Sequence, residues 1–315
     1  MKREVLCLLT AVAVALVGIS GSAGAATKKH KRSVVAKTSV KAVRVAKVAS
    51  VPHKRADTSA GLTHLGLRSS AVLVQDQVSG AVLFQKNAGT VQPIASITKL
   101  MTAMVVLDEQ PDLEEVLTIS QEDVDLLKGT RSRLSVGTSM TRGELMRLAL
   151  MSSENRAASA LSRYYPGGRS EFVLAMNQKA NILGLADTHF EDPTGLTAAN
   201  VSSPRDLVRM VDAAYQYPLI REFSTTTGGE FTVAGRSMQF NNTNSLVKSP
   251  NWEIGLSKTG YISEAGKCLV MQVWLNSKPT IIVLLDSMGK MTRIGDANRI
   301  KRWVESAALA SLPAS

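Results

Sequence analysis

Cysteine is nearly absent from this chain of 315 residues, which contains only Cys7 and Cys268. An apolar run at 5–17 follows a short basic start and ends in small residues, which predicts a cleaved secretory signal over residues 1–26. Cys7 would leave with this signal, so the mature protein could form no internal disulfide in an oxidising compartment. We therefore expect a stabilising core, with Cys268 buried as a small hydrophobe.

Long apolar runs and histidines are also scarce. No second stretch is apolar enough to cross a bilayer, and the run at 5–17 is itself too short for an ordinary span. Two of the four histidines, His30 and His53, precede the domain and no Gly-x-Ser-x-Gly occurs, so a Ser-His-Asp hydrolase is poorly supported. No metal-ligand spacing is present, and we expect no cofactor.

Positive charge is concentrated in one segment. Residues 27–57 hold ten Lys or Arg against one acidic residue, which accounts for most of the formal net charge of +11. Because the rest of the chain is nearly neutral, we expect no nucleic-acid partner. Residues 27–58 read as a flexible basic linker that is either a solvated tether or an electrostatic contact to an anionic envelope.

Hydrophobic periodicity predicts one domain over residues 59–310 and a short tail at 311–315. Two strands joined at 78–80 precede a block of helices, and after residue 228 the period changes to strands before a final helix. This order indicates an α+β fold, an antiparallel sheet flanked by helices with an inserted all-helical subdomain. The helix from Ser96 is expected to bury one apolar stripe. Thr141 with Glu144, and Ser203, read as helix caps.

The Ser-x-x-Lys pattern occurs three times, at Ser96/Lys99, Ser245/Lys248 and Ser287/Lys290. In the predicted elements only Ser96 opens a helix, whose free N–H groups can stabilise an oxyanion and whose residues three apart share a face. Lys99 could serve as a base if burial or a neighbouring cation lowered its pKa. The alternative is the polar first turn of an ordinary helix.

Two further elements could complete a site. Ser153 and Asn155 interrupt a helix pattern, where a hydroxyl could relay a proton and an amide could hold a carbonyl or the lysine. Lys258-Thr259-Gly260 follows an apolar strand, and an ammonium and a hydroxyl at a strand end suit a terminal carboxylate, while glycine admits a substrate backbone. A capped turn and a hairpin turn are the respective alternatives.

Together these elements form the S-x-x-K, S-x-N and K-T-G set of penicillin-binding proteins and class A β-lactamases. The flanks "PIASITKLMTAMVVLD", "LALMSSENRAASAL" and "KTGYISEAGKCLVM" resemble the low-molecular-mass penicillin-binding proteins, specifically the D-alanyl-D-alanine endopeptidase type, over roughly residues 65–305. The resemblance implies a β-lactamase/transpeptidase-like fold. It also implies an exported serine D,D-peptidase that acts on peptidoglycan peptide stems and is covalently inhibited by β-lactam antibiotics.

The resemblance assigns roles residue by residue. The serine of S-x-x-K, here Ser96, becomes acylated, and Lys99 takes its proton. Ser153 matches the proton-relaying serine, and Asn155 matches the substrate-positioning amide. Glu154, between them, is not expected to matter if only its neighbours face the cleft.

The K-T-G segment receives roles in the same way. Lys258 and Thr259 match the residues that bind the substrate carboxylate, and Gly260 completes the motif. The backbone N–H groups of Ser96 and of Tyr261, the residue after K-T-G, would form the oxyanion hole.

Endopeptidase activity is preferred to D-alanyl-D-alanine carboxypeptidase activity on the resemblance alone, because both reactions acylate the same serine. A β-lactamase needs a glutamate for deacylation, and Glu191 lies in the comparable region without the Leu-Asn that follows it in class A enzymes. A non-catalytic cell-wall-binding protein gives no reason to keep Ser96, Lys99 and Lys258 together.

Because only five residues follow the final helix, we expect a periplasmic protein that is soluble or loosely envelope-associated, without a C-terminal anchor.

Overall fold

An antiparallel sheet of five strands lies at the centre of the part of the chain that the computed structural model describes, residues 65–289 and 291–310. In chain order the strands are β1 Ser69–Asp76, β2 Val82–Lys86, β3 Gln92–Pro93, β4 Val116–Thr118, β5 Ser139–Thr141, β6 Val201–Ser202, β7 Gly228–Val233, β8 Arg236–Asn241, β9 Ile254–Ile262, β10 Gly266–Leu275 and β11 Lys278–Ser287. The helices are α1 Lys99–Asp108, α2 Arg142–Met151, α3 Asn155–Arg163, α4 Gly168–Ile182, α5 Pro204–Tyr215, α6 Pro218–Thr225 and α7 Thr292–Ala310.

The two ends of the domain meet in the central sheet, whose spatial order is β2-β1-β11-β10-β9. β1 pairs with β11 in an antiparallel register that places Ala71 opposite Leu285 and Val74 opposite Ile282. Helices α1–α6 lie between β2 and β9 in the chain. The predicted α+β fold, with strands from both ends in one sheet and an inserted helical block, is confirmed.

The hairpin of β7 and β8 is a correction to that prediction. Its strands were expected to extend the central sheet, but they form a separate two-stranded sheet. The reason is packing at the sheet edge: β9 contacts α6 and the short 3-10 turn Ala95–Thr98 instead of another strand. β9 therefore lies next to the turn Ala95–Thr98, which contains Ser96.

Three smaller boundaries also differ from the sequence prediction. The connection between β10 and β11 is a two-residue turn at Asn276 and Ser277, whose φ values of 50° and 59° match the hairpin turn of type I′. The sequence pattern predicts a four-residue connection at 276–279, but Lys278 and Pro279 belong to β11. The pattern also predicts a final helix that starts at Asp296, whereas the helix begins four residues earlier, at Thr292.

Helix α1 is buried on every side rather than along one stripe. Residues 99–106 are all buried, because α1 contacts five other helices, α2 to α6. A helix with this burial lies inside a domain. The single apolar stripe predicted for it is therefore wrong, and the polar residues Lys99 and Thr102 are enclosed with the apolar ones.

The predicted helix caps are confirmed. The backbone N–H of Glu144 donates to Thr141 Oγ1 at 3.1 Å, and the N–H of Thr141 donates to Glu144 Oε2 at 2.9 Å, which completes a capping box. Ser203 Oγ accepts from the N–H of Asp206 at 3.3 Å, with Pro204 at the first position of α5. These caps fix where α2 and α5 begin.

Helix α7 covers the sheet face opposite the helical block. Asp296 attaches it to β1, because this buried carboxylate accepts from the N–H of Ser69 at 2.7 Å and from its hydroxyl at 2.6 Å. Cys268 is fully buried in β10, and burial raises the pKa of its thiol to about 11, so its predicted role as a core residue is confirmed.

The predicted signal at 1–26, the basic linker at 27–58 with its envelope contact, and the tail at 311–315 lie outside the described residues and stay predictions. Within 65–289 and 291–310, no helix combines the length and the apolar character that a membrane crossing requires.

Candidate active site

Ser96 and Lys99 are in direct contact. Ser96 lies in the 3-10 turn Ala95–Thr98, and α1 begins at Lys99, so the serine precedes the helix instead of opening it as predicted. Lys99 Nζ lies 2.8 Å from Ser96 Oγ, 2.8 Å from Asn155 Oδ1 and 2.7 Å from the carbonyl oxygen of Thr194. Three acceptors thus surround one amine.

These contacts orient the lysine for base chemistry. An ammonium group can donate to all three oxygens, whereas a neutral amine has two hydrogens and one lone pair. Asn155 Oδ1 and the Thr194 carbonyl are acceptors only, so they take the two hydrogens of the neutral amine. The lone pair then faces the hydroxyl of Ser96, which donates to it.

Burial allows Lys99 to be present as a neutral amine at ordinary pH. The Lys99 side chain is 1% exposed, and removal from water lowers its pKa from 10.5 to about 7. The negative charges of Asp192 and Glu154 act in the opposite direction and favour the ammonium. At neutral pH a substantial fraction of Lys99 is therefore unprotonated.

The turn that carries Ser96 is held by close backbone contacts. Ala95 has a φ of 48°, a conformation that is strained for a residue with a side chain. A Cβ on Gly195 would lie 2.0 Å from the carbonyl oxygen of Ala95, and one on Gly260 would lie 2.8 Å from that of Ile94. Glycine is therefore needed on both sides of the turn, which places Ser96 between the loop at 194–195 and β9.

Ser153 and Asn155 lie at the turn between α2 and α3. Ser153 has a φ of 61°, and its Oγ accepts from Lys258 Nζ at 2.9 Å. Asn155 begins α3, and its amide oxygen is the acceptor already described for Lys99. The short turn predicted from the sequence thus presents both polar side chains to lysines of the site.

Glu154 influences the site, contrary to expectation. Its carboxylate is largely buried and accepts from Ser132 Oγ at 2.7 Å, so it lies apart from the Ser96 hydroxyl. Its negative charge nevertheless favours the protonated form of Lys99 and raises the pKa of that lysine. A neighbour that makes no direct contact with the amine can therefore act through its field.

The K-T-G segment lies inside β9 and not at its end. The prediction of a strand end is wrong because pairing with β10 continues to Ile262, opposite Gly266. Lys258 is 1% exposed, and its Nζ donates to Ser153 Oγ rather than facing open solvent. Burial first, and then the positive charges of Lys99 and Arg293, hold its pKa well below the ordinary value. Carboxylate binding by Lys258 stays a prediction.

The other three residues assigned to this segment, Thr259, Gly260 and Tyr261, have different surroundings. Thr259 is buried, and its hydroxyl donates to Thr243 Oγ1 at 2.7 Å. The Tyr261 side chain is 60% exposed, whereas the role assigned to Tyr261 concerns its backbone N–H. Gly260 brings this backbone close to Ser96, since a Cβ on Gly260 would lie 3.2 Å from the Ser96 nitrogen.

Several residues near the lysines were not identified from the sequence. They are Thr130, Asp192, Thr194, Thr243 and Arg293. For Asp192 a local signal exists, because Asp followed by glycine within a few residues favours a turn in which the carboxylate accepts backbone N–H groups. It accepts from the N–H of Gly195 at 2.6 Å and of Thr197 at 2.8 Å. The other four carry no comparable signal.

The two remaining Ser-x-x-Lys segments have different surroundings. The prediction that only Ser96 opens a helix is wrong, because Ser96 lies in a 3-10 turn before α1 and Ser245 begins a 3-10 turn of its own, Ser245–Lys248. Lys248 is exposed and donates to Asn241 Oδ1 at 2.8 Å. Ser287 bonds to Ser69 Oγ at 2.6 Å inside the sheet, and its lysine partner at 290 lies outside the described residues.

Comparison with known proteins agrees with this geometry. Residues 58–289 match the family described as D-alanyl-D-alanine carboxypeptidase, peptidase family S11. The chain belongs to this family. As a member it is a serine peptidase and therefore a hydrolase.

Two relatives within this family and one solved structure are similar to the chain over most of its length. The chain is 48% identical to the D-alanyl-D-alanine endopeptidase of Pseudomonas aeruginosa, covering 79% of this chain and 81% of that protein. It is 43% identical to the D-alanyl-D-alanine endopeptidase of Escherichia coli, with the same coverage. A DD-transpeptidase of Streptomyces has a TM-score of 0.71 at 29% identity, covering 76% of this chain and 98% of that chain. The predicted family and transpeptidase-like fold are confirmed.

Proposed function

We propose that this chain is an exported D,D-peptidase that hydrolyses D-alanyl bonds in peptidoglycan peptide stems through an acyl-enzyme on Ser96. The observation that carries the proposal is the contact between Ser96 Oγ and the buried Lys99 amine at 2.8 Å. The family membership gives the reaction class, and this contact supports the choice of Ser96 among the serines of the chain.

Acylation begins with proton transfer inside this pair. Neutral Lys99 takes the hydroxyl proton while Ser96 Oγ attacks the carbonyl carbon of the D-alanine residue. The resulting oxyanion would lie between the N–H groups of Ser96 and Tyr261. The close approach of Gly260 to the Ser96 nitrogen supports this placement, because it brings the following residue of β9 beside the turn.

Collapse of the tetrahedral intermediate breaks the peptide bond and releases an amine. That amine needs a proton, and the hydroxyl of Ser153 is available to relay it. The Lys258 contact at 2.9 Å supports this role, because a donor to Ser153 Oγ favours loss of the Ser153 proton. The proton that Lys99 took from Ser96 then replaces the one that Ser153 gave to the amine, which leaves Lys99 neutral again. Water attacks the ester on Ser96, and Lys99 takes the proton of the water and returns it to Ser96 Oγ as the shortened stem leaves.

Covalent capture by a β-lactam tests the acylating residue directly. The purified protein would be incubated with a fluorescent penicillin, and the adduct would be located by peptide mass mapping. We expect one stable adduct on Ser96 and none in Ser96→Ala, while Ser245→Ala, a matched control from the exposed Ser-x-x-Lys segment, labels like wild type. Absence of an adduct on folded protein would contradict the proposal and favour a non-catalytic wall-binding role.

The leaving group distinguishes two activities of the same site. The relatives at 48% and 43% identity carry the name D-alanyl-D-alanine endopeptidase, which favours cleavage of peptide cross-links over removal of a terminal D-alanine. Digestion of purified cross-linked muropeptide dimers and of pentapeptide monomers would separate them. Release of monomers from dimers supports the endopeptidase, whereas loss of D-alanine from pentapeptides alone would assign a carboxypeptidase.

A β-lactamase is the less supported alternative. Glu191, the one candidate for activating the deacylating water, has an exposed side chain 3.9 Å from His189. The carboxylate whose charge acts on Lys99 from this region is Asp192 instead, and it is occupied by backbone N–H groups of its own loop. We therefore expect the penicillin adduct to be long-lived.

A further inference from the structure

The side-chain amide of Asn155 has an oxygen and a nitrogen, and only the oxygen can accept a hydrogen bond from Lys99. Its Oδ1 accepts from Lys99 Nζ at 2.8 Å, while its Nδ2 donates to Thr130 Oγ1 at 3.1 Å. A side-chain amide can rotate by half a turn, which would exchange the acceptor and the donor. The second contact therefore bears on which end faces Lys99.

The hydroxyl of Thr130 is itself oriented. Thr130 Oγ1 donates to Asp125 Oδ2 at 2.6 Å, so its hydrogen is used and its lone pairs face the Asn155 amide. Asp125 also accepts from the backbone N–H groups of Leu127, Lys128 and Thr130 at 2.8 to 2.9 Å. One carboxylate thus fixes both the loop at 125–130 and the direction of its hydroxyl.

The same loop is attached to the strand that carries K-T-G. Lys128 forms an ion pair with Glu264, which lies in the turn between β9 and β10. The loop is therefore anchored at two points, by Asp125 within itself and by Glu264 across the site. This second anchor positions Thr130 relative to β9 as well as to α3.

We propose that Thr130 is a positioning residue for the acylation reaction: its hydroxyl, oriented by Asp125, holds the Asn155 amide with its oxygen toward Lys99. With that orientation the amide oxygen takes one hydrogen of the neutral amine, and the lone pair is left for Ser96. A reversed amide would present N–H groups to Lys99 and compete with Ser96 for the lone pair. The inference rests on the proposed function of Ser96 and Lys99.

The other charged groups around Lys99 are not hydrogen-bond partners of the Thr130 side chain, which bonds to Asp125 and Asn155. They are the carboxylates of Glu154, before α3, and Asp192, in the loop before β6, and the Lys258 side chain in β9. We therefore expect a change in the Lys99 pKa on replacement of Thr130 to come through the Asn155 amide.

The test compares three variants. Thr130→Val removes the hydroxyl at nearly constant volume, and Thr130→Ser keeps it. Thr118→Val is the matched control, because Thr118 Oγ1 makes a similar exposed hydroxyl contact, 2.9 Å from Ser139 Oγ, on the hairpin of β4 and β5. The pKa of Lys99 would be measured by NMR titration of isotope-labelled lysine side chains, with the signal assigned by its absence in Lys99→Arg.

We expect the pKa of Lys99 to fall by about one pH unit in Thr130→Val, because a facing N–H group favours the neutral amine. The rate of acylation by penicillin should fall about tenfold, the size of one net hydrogen bond. Thr130→Ser and Thr118→Val should match wild type in both measurements. This pattern would support the positioning role.

An unchanged Lys99 pKa in Thr130→Val would overturn the inference, even if the acylation rate fell, because loosening of the loop alone would produce that result. Failure of Thr130→Ser to restore the wild-type pKa would also overturn it. Failure of wild-type protein to acylate would count against the proposed function instead. The NMR titration would still decide the orientation of the amide in that case.

Discussion

Two Ser-x-x-Lys segments of this molecule share a local conformation and differ in everything around it. Ser96 and Ser245 both lie in 3-10 turns. Lys99 begins a helix whose first eight residues are buried and is enclosed by three oxygen acceptors, whereas Lys248 is exposed on the surface. The spacing and the turn are therefore common to both segments, and the environment of the lysine separates them.

The difference shows what the motif requires from the rest of the fold. A lysine in water is almost entirely protonated at neutral pH and cannot accept a proton. Burial in the helical block lowers the pKa of Lys99 to about 7, and oxygen acceptors on two elements direct its lone pair. The proposed catalytic pair thus depends on long-range packing around a short sequence pattern.

The largest expected effect comes from replacing each lysine by arginine. A guanidinium group stays charged and cannot serve as a base. Lys99→Arg should lower the rate of acylation by penicillin at least about a hundredfold, the smaller end of what a general base contributes. Lys248→Arg should leave the rate unchanged. Stopped-flow acylation with circular dichroism as a folding control checks both, and equal losses would remove the distinction between the segments.

A smaller effect should follow when the backbone beside Ser96 is displaced. Gly195 and Gly235 both have positive φ, 81° and 75°, but a Cβ on Gly195 would meet the Ala95 carbonyl and one on Gly235 would meet open space. Gly235→Ala should cost about 1–2 kcal/mol of unfolding free energy for its conformation alone. Gly195→Ala should cost about 1–3 kcal/mol more through overpacking.

The rate of acylation should also distinguish the two glycine variants. Gly195→Ala should also slow acylation, because the turn that carries Ser96 must move, whereas Gly235→Ala should acylate like wild type. Urea unfolding and penicillin acylation are the two measurements. Matching stability losses in the two variants would show that the close contact at Gly195 does not constrain the turn.

The sequence was sufficient for the features that depend on local order. The α+β arrangement, the caps at Thr141 and Ser203, and the turn at Ser153 follow from periodicity and short-range hydrogen bonding. The same is true of the three motifs, which the structure brings to neighbouring positions. Ser96 and Lys99 meet because they are three residues apart across the 3-10 turn that leads into α1.

The features that were missed depend on distant parts of the chain. Burial of α1 on all sides arises from five helices packing around it, which no pattern within α1 records. Thr130 reaches Asn155 across 25 residues, and Thr243 reaches Thr259 across 16, so neither contact has a local signal. The position of K-T-G within β9 depends on pairing with β10, which extends the strand beyond the glycine.

The pH dependence of acylation is the measurement that tests the role of burial most directly. The second-order rate constant for reaction with penicillin would be measured from pH 5 to pH 11 on wild-type protein. Since neutral Lys99 is proposed as the active form and its pKa is about 7, the rate should rise through pH 7, and a fall at higher pH would report loss of the charge of Lys258, whose pKa burial also lowers. A rate that continues to rise toward pH 10.5, the ordinary pKa of a lysine, or that does not change with pH, would contradict the account of Lys99 as a base produced by burial.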